Sequence, residues 1–220
     1  MKIFLDTAEI DEIQSAHDTG LIDGITTNPT IIMKSGRRVF DVVRELSYIF
    51  SPLESISVEV VGDSVNEMLS QAKKYYTIDP HIAIKVPCTV DGLKVCKRLS
   101  GQGIMTNVTL IFTVSQAILA AKAGASYISP FIGRWEDNSV DGLSLIKRIR
   151  KTFHNMKTPS PQILAASIRD VRQIEECALN GADIVTIPPS VFWKMYKNVM
   201  TDKGIDQFNS DWEKVLDREN

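Results

Sequence analysis

The apolar run IAIKVP at residues 82–87 contains one charged residue, Lys85. An ammonium group is costly to bury without a partner, so a lysine in such a run needs either a partner or a chemical purpose. In a dry pocket a lysine can shed its proton, and the free amine can attack a carbonyl carbon to form a Schiff base. The alternative is a lysine at a strand end whose head reaches water or a carboxylate. Taken alone, this short segment favours the alternative.

Strand-like runs alternate with helical stretches along the whole chain, and this alternation is typical of repeated βα units. We predict eight strands, at residues 2–5, 24–27, 55–61, 82–86, 105–110, 127–131, 162–166 and 183–187. Eight βα units in 220 residues are close to the smallest size at which a (β/α)8 barrel forms. The pattern therefore predicts an α/β fold, a single (β/α)8 barrel domain over residues 1–220, with a doubly wound open sheet as the alternative.

The predicted helices have recognisable ends. Thr113 and Gln116 are spaced as a capping box at the start of the fifth helix. Asp170 is a candidate N-cap of the seventh helix, and Gly181 follows it as a stop. Apolar residues at helical spacing predict one more helix at the C-terminal end, over about residues 203–217. They are Ile205, Phe208, Trp212, Val215 and Leu216.

The overall composition excludes several classes of function. A formal charge of −2 gives no general attraction to nucleic acid or to acidic membranes, and no apolar stretch reaches the length of a membrane span. The basic run KRIRK at residues 147–151 could suggest a nucleic-acid-binding module, but apolar residues interleave with it at helical spacing, as on the solvated face of a helix. The three cysteines have no CxxC spacing, which indicates reduced structural thiols rather than a metal site. With no signal-peptide pattern, we expect a cytoplasmic protein.

Polar side chains collect where the predicted strands end, and a (β/α)8 barrel places its active site at those ends. Each of these residues has an ordinary structural explanation when it is taken singly. Their joint occurrence is harder to explain in that way, and it favours a chemical role for Lys85. The residues are Asp6, Thr7, Thr27, Asn28, Glu59, Lys85, Asn107, Thr109, Ser129, Phe131, Arg134, Ser167 and Arg169.

Six segments at these strand ends resemble the signature segments of the transaldolases. They are FLDT at 4–7, GITTNPT at 24–30, IKVP at 84–87, NVTL at 107–110, SPFIGR at 129–134 and AASIR at 165–169. The chain is similar to the short transaldolase-like branch, which also contains the fructose-6-phosphate aldolases. The resemblance implies a (β/α)8 barrel, a lysine Schiff base, no metal or other cofactor, and homo-oligomeric rings such as pentamers or decamers in which the C-terminal helix reaches a neighbour.

The resemblance also implies a role for each site residue. Lys85 would form the Schiff base with the C2 carbonyl of a ketose phosphate, and Asp6 would take the hydroxyl proton as the C3–C4 bond breaks. Glu59 and Thr109 would hold the water that carries protons during imine formation and hydrolysis. The expected substrate-binding residues are Asn28, Thr27, Asn107, Ser129 and Phe131 around the dihydroxyacetone unit, and Arg134, Ser167 and Arg169 around the phosphate.

Two positions bear on the reaction within this branch. The transaldolase pattern has a glutamate and a phenylalanine where the aldolase pattern has a glutamine and a tyrosine, and this chain has Glu59 and Phe131. Ser129 and Arg169 agree with the transaldolase side. We therefore expect transfer of a dihydroxyacetone unit from sedoheptulose 7-phosphate to glyceraldehyde 3-phosphate in the pentose phosphate pathway. Aldol cleavage of fructose 6-phosphate with release of free dihydroxyacetone is the alternative.

Overall fold

A computed structural model of the protein describes residues 1–50, 53–156 and 159–219. Within these residues eight parallel strands pair in chain order, and β1 also pairs with β8, so that the sheet closes into a barrel. The prediction of a (β/α)8 barrel is confirmed, and the open-sheet alternative is wrong. The strands are β1 Lys2–Asp6, β2 Gly24–Thr26, β3 Ser55–Glu59, β4 Ile82–Pro87, β5 Thr106–Ile111, β6 Tyr127–Pro130, β7 Gln162–Ala165 and β8 Ile184–Ile187.

Helices follow the strands and surround the barrel. The predicted capping box of Thr113 and Gln116 is confirmed, and Asp170 caps α9 by accepting a hydrogen bond from the backbone N–H of Gln173. The C-terminal helix is also confirmed, although it begins earlier than predicted. The helices are α1 Ile10–His17, α2 Pro29–Ser35, α3 Val39–Ile49, α4 Val65–Tyr76, α5 Val90–Ser100, α6 Val114–Ala123, α7 Ile132–Glu136, α8 Leu143–Met156, α9 Val171–Leu179, α10 Pro189–Lys194 and α11 Val199–Glu219.

Strand side chains alternate between two cores, because successive residues of a strand point to opposite faces. The outer core, between the sheet and the helices, contains branched residues such as Ile25, Val58 and Ile84. The inner core fills the barrel itself with Phe4, Ala83, Met105, Tyr127, Phe131, Leu164, Ala166 and Ile184. The barrel interior is therefore a packed layer that closes the bottom of any site above it.

Gly24 makes room for the ring of Phe4 inside the barrel. A Cβ atom at this position would lie 2.6 Å from the ring of Phe4, which β1 directs into the barrel. A glycine on β2 therefore allows a fully buried phenylalanine on the neighbouring strand.

The next inward positions along the strands are polar. Asp6 follows Phe4 by two residues, Lys85 follows Ala83, and Ser129 follows Tyr127. Since a period of two keeps these residues on the inner face, the alternation brings them together above the apolar layer. The strand pattern itself thus places a polar floor at the carboxyl end of the barrel.

The basic run in α8 lies on the surface of the barrel. Lys147 and Arg148 are exposed, whereas Ile146 and Ile149 are fully buried beneath them. The interpretation of this run as a solvated helix face is confirmed. In the part of the chain that the structure describes, no helix is both long and apolar enough to cross a membrane.

Candidate active site

A cavity of about 600 Å³ opens at the carboxyl ends of the strands. Ten of the twelve residues to which the resemblance gives a role line it, and they come from seven different strands or the loops that follow them. Thr27 and Asn107 do not line the cavity. The ten are Asp6, Asn28, Glu59, Lys85, Thr109, Ser129, Phe131, Arg134, Ser167 and Arg169.

Lys85 is 5 % exposed, and its ammonium group faces this cavity. The Nζ atom donates a hydrogen bond to the carbonyl oxygen of Thr27 at 3.1 Å and lies 3.4 Å from Oε2 of Glu59. The pairing of β3 with β4 places Glu59 directly beside Lys85. The lysine therefore has the carboxylate partner that a buried charge requires, and it also has access to the cavity.

The carboxyl group of Asp6 is held by the hydroxyl of Thr26, which is itself hydrogen-bonded to the hydroxyl of Thr186. The Oδ1 atom of Asp6 accepts a hydrogen bond from Oγ1 of Thr26 at 2.7 Å, and that hydroxyl lies 2.6 Å from Oγ1 of Thr186. Burial raises the pKa of Asp6 above its usual value, against the opposing effects of the Lys85 charge and of the Thr26 hydrogen bond. The carboxyl group is therefore better suited to exchange protons than an exposed aspartate.

Thr109 has a buried hydroxyl with no hydrogen-bond partner among the described residues. Its residue lines the same cavity as Glu59 and Lys85. A buried hydroxyl without a partner is costly, and a cavity beside it can supply that partner as a water or a substrate group. Thr109 and Glu59, which line one cavity, are the two residues to which the family resemblance gives a proton-carrying water.

Asn107 lies under the floor of the cavity and is fully buried. Its Oδ1 atom accepts a hydrogen bond from the Ser129 hydroxyl at 2.7 Å, and its Nδ2 group donates to Oγ of Ser57 at 3.2 Å. Thr27 is likewise turned away, since its hydroxyl donates to the carbonyl oxygen of Ser57 at 2.9 Å. These two residues support Ser129 and Lys85, which do face the cavity.

Asn28 has a structural task in addition to its place in the cavity. Its Oδ1 atom accepts a hydrogen bond from the backbone N–H of Ile31 at 3.0 Å and so caps α2. Because the oxygen is engaged, the side-chain NH₂ group remains to donate to a ligand oxygen.

Arg134 and Arg169 form a cationic rim at the mouth of the cavity, and both are exposed. The Arg134 guanidinium lies 4.9 Å above the ring centre of Phe131, and an Arg169 nitrogen lies 2.8 Å from Oδ2 of Asp137. Ser167 lies between them in sequence and lines the same cavity. Two guanidinium groups and a hydroxyl of this kind can bind a phosphate dianion through charge-assisted hydrogen bonds.

A close backbone contact fixes the two halves of this rim. Ser167 has a left-handed backbone with φ of 61°, and its carbonyl oxygen accepts a hydrogen bond from the N–H of Gly133 at 2.9 Å. A Cβ atom on Gly133 would lie only 2.0 Å from that oxygen. A glycine immediately before Arg134 is therefore what allows the loops after β6 and β7 to meet.

The cavity is also lined by three polar residues that were not predicted from the sequence, Thr26, Thr186 and Lys34. Strand alternation could have identified the two threonines, since Thr26 follows Gly24 by two residues and Thr186 follows Ile184 in the same way. Lys34 lies on α2, and nothing in its local sequence distinguishes it from a surface lysine. Among the described residues no group of three His, Cys, Asp or Glu side chains could hold a metal ion, and the three cysteines are free thiols.

Comparisons with known proteins agree with this geometry. The profile of the family described as Transaldolase/Fructose-6-phosphate aldolase matches residues 3–219. The chain is 49% identical over 215 residues to a "Probable transaldolase" of Paracoccus denitrificans, covering 98% of both chains. It is 50% identical to another protein of that name from Geotalea daltonii, covering 98% of this chain and 99% of that one. The chain therefore belongs to the transaldolase/fructose-6-phosphate aldolase family of enzymes.

Proposed function

We propose that this enzyme is a transaldolase that works through a Schiff base on Lys85. It transfers a dihydroxyacetone unit from sedoheptulose 7-phosphate to glyceraldehyde 3-phosphate, giving erythrose 4-phosphate and fructose 6-phosphate, as a step of the pentose phosphate pathway. The observation that carries the proposal is the position of Lys85, whose buried amine faces the cavity beside the Glu59 carboxylate, at 3.4 Å.

The reaction begins with attack of the Lys85 amine on the C2 carbonyl carbon of the ketose. Glu59 is close enough to exchange a proton with the amine, directly or through a water held by the free hydroxyl of Thr109. The C2 hydroxyl of the carbinolamine, which was the carbonyl oxygen of the ketose, then takes up a proton and leaves as water to give the iminium ion. The Thr27 carbonyl oxygen, 3.1 Å from Nζ, directs the lysine head before the attack.

Cleavage then requires a base for the C4 hydroxyl, and Asp6 suits this role. As Asp6 takes the proton, the C3–C4 bond breaks, the aldose phosphate leaves, and the electron pair is stored in the iminium as an enamine. The hydroxyl of Thr26 holds the carboxyl group in place, and Thr186 in turn positions that hydroxyl. Transfer to the acceptor aldehyde is the reverse sequence, in which Asp6 returns the proton to the new hydroxyl group.

The remaining cavity residues bind the two ends of the ketose. Asn28 and Ser129 lie in the same cavity as Lys85 and would contact the hydroxyls next to the reacting carbon. Arg134, Ser167 and Arg169 at the rim would bind the phosphate of donor and acceptor alike. A single phosphate site is sufficient, because the donor and the acceptor occupy it in turn.

The alternative reaction is aldol cleavage with release of free dihydroxyacetone, which requires protonation of the enamine and hydrolysis of the imine. Phe131 argues for transfer, because its ring lines the cavity, lies 5.8 Å from the ring of Phe112 and offers no proton. A coupled assay distinguishes transfer of the dihydroxyacetone unit from its release. We expect transfer from fructose 6-phosphate to erythrose 4-phosphate to exceed release of dihydroxyacetone, and a dominant release would assign the enzyme to the aldolase side.

We also propose that the enzyme is a homo-oligomer, with a pentamer or decamer as the expected size. Helix α11 carries large apolar side chains that water would otherwise contact, since Phe208 is 74 % exposed and Trp212 is 61 % exposed. Burial of such a face against another copy of the chain would be favourable. Sedimentation equilibrium tests this proposal, and a monomer at micromolar concentration would contradict it.

A further inference from the structure

Leu110 has a backbone conformation that is unusual for leucine. Its φ angle is 59°, which lies in the left-handed region that residues with a Cβ atom rarely adopt. The pairing of β5 with β6 shifts register between Val108 and Ile111, so the irregularity is centred on this residue. Such a conformation costs on the order of 1–2 kcal/mol and persists where the surroundings impose it.

The irregularity changes which side chains face the cavity. In an uninterrupted strand Thr109 and Ile111 would share one face, and Leu110 would point to the other. Here Thr109 and Leu110 both line the cavity, while Ile111 is fully buried in the outer core together with Val108. The left-handed turn at Leu110 therefore supplies the cavity with two consecutive residues from one strand.

These two residues differ in chemistry. Thr109 has the free buried hydroxyl described above. Leu110 is one residue closer to the mouth, and the next strand brings Phe131 alongside, since the N–H of Phe131 donates to the carbonyl oxygen of Ile111 at 3.1 Å. The cavity is thus lined here by one polar side chain that can hold a water and by two apolar side chains, Leu110 and Phe131.

We propose that Leu110 is a specificity-determining residue of this enzyme. Its backbone aims the Thr109 hydroxyl at the water used in imine formation, and its side chain keeps additional water away from the enamine. This inference rests on the proposed function. The step it suppresses is protonation of the enamine at C3 by water, followed by addition of water to C2 and breakage of the C2–N bond, which releases dihydroxyacetone and the Lys85 amine.

Two substitutions separate the backbone effect from the side-chain effect. Leu110→Gly adopts a positive φ without strain but removes the apolar wall. Leu110→Val keeps an apolar side chain but opposes the backbone, because a β-branched residue tolerates a positive φ poorly. Ser139→Val is the matched control, since Ser139 has φ of 58° and is exposed in a loop outside the cavity.

The measurements are the rate at which borohydride traps the imine of fructose 6-phosphate on Lys85, and the ratio of dihydroxyacetone release to transfer. Leu110→Gly should trap at the wild-type rate and raise the ratio about fivefold or more, equivalent to about 1 kcal/mol in relative barrier height. Leu110→Val should slow trapping about fivefold or more with little change in the ratio. Ser139→Val should lower the melting temperature and change neither kinetic quantity.

Three outcomes would contradict the proposed roles of the Leu110 side chain, of its backbone or of the Schiff base. A wild-type ratio in Leu110→Gly would overturn the role of the side chain, and trapping in Leu110→Val as fast as in Ser139→Val would overturn the role of the backbone. If Leu110→Val does not fold, Leu110→Ala takes its place, because alanine removes the apolar wall as glycine does but opposes a positive φ; trapping in Leu110→Ala as fast as in Leu110→Gly would then overturn the role of the backbone. Absence of any trapped adduct in the wild-type enzyme would instead refute the proposed Schiff base.

Discussion

The floor and the rim of the cavity are built in different ways. On the floor, Lys85 is 5 % exposed and has fixed partners in Thr27 and Glu59. At the rim, Arg169 is paired with Asp137, and both side chains are more than half exposed. The same type of interaction, a cation beside a carboxylate, thus occurs once nearly buried at the bottom of the cavity and once exposed to solvent.

This difference indicates that the floor and the rim of the cavity have different roles. A buried charge is costly to leave without its partner, so the floor keeps one arrangement for every substrate and every step. An exposed ion pair contributes little and exchanges easily, so Asp137 can hold Arg169 until a phosphate replaces it. We therefore expect substitutions on the floor to stop the chemistry and substitutions at the rim to change which substrates are used.

Among these predictions, we expect the largest loss of turnover from Asp6→Asn, which replaces one carboxylate oxygen by an NH₂ group. Asp6→Asn keeps the shape and can still accept from Thr26, but it cannot take the C4 hydroxyl proton. The turnover number should fall by about 100-fold or more in a coupled assay. A variant that retains most of the wild-type turnover would remove Asp6 from the mechanism.

The same substitution should stabilise the protein in a pH-dependent way. Burial raises the pKa of Asp6 in the folded state above the ordinary value of 3.8, so the folded state binds this proton more tightly than the unfolded state does. The proton on Asp6 therefore stabilises the folded state fully below pH 3.8, and this stabilisation is lost as the pH rises through the folded-state pKa. Melting temperatures should therefore favour Asp6→Asn at neutral pH and converge with those of the wild type in acid, whereas a destabilised variant at neutral pH would contradict this reading.

Replacing a rim arginine should have a smaller and more selective effect. Arg134→Ala or Arg169→Ala should each lower kcat/KM for phosphorylated sugars by about 30-fold, equivalent to about 2 kcal/mol of transition-state stabilisation, while unphosphorylated sugars lose much less. Arg172→Ala is a suitable control, since Arg172 is also exposed and lies 3.6 Å from a Glu136 oxygen outside the cavity. Equal losses with both kinds of sugar would indicate damage to the fold.

The smallest change in rate should accompany Phe131→Tyr, which instead alters the balance between transfer and release. The added hydroxyl could donate a proton to the enamine or hold a water beside it. Glu59→Gln should shift the ratio of release to transfer in the same direction, but with a large loss of rate, since Glu59 also exchanges a proton with Lys85. Phe112→Tyr provides the control, because that ring contacts Phe131 but does not line the cavity. If Phe131→Tyr and Phe112→Tyr give the same ratio of release to transfer, Phe131 does not set this balance.

Much of the barrel and part of its site could be predicted from sequence because strands impose a period of two. A lone charge such as Lys85 in an apolar run is conspicuous, and polar residues at successive strand ends must meet once the sheet closes. The predicted strand ends, including those of β5, were correct to within one or two residues for the same reason, whereas the break in the period at Leu110 within β5 was not predicted.

The direction in which a polar side chain points could not be predicted in this way. Thr27 and Asn107 belong to the same motifs as the residues that line the cavity, yet both turn to Ser57 or Ser129 and remain outside it. Their orientation depends on hydrogen bonds to residues distant in sequence. The salt bridge between Arg169 and Asp137 escaped prediction for the same reason.

The central claim is that the amine of Lys85 becomes covalently bonded to substrate, and reductive trapping tests it directly. Borohydride added together with fructose 6-phosphate should leave a stable adduct on the peptide that contains Lys85, and mass spectrometry should locate it there. Lys85→Met should give neither adduct nor turnover, while Lys34→Met, at the other lysine that lines the cavity, should still form the adduct. An adduct on any lysine other than Lys85 would contradict the mechanism proposed for this enzyme.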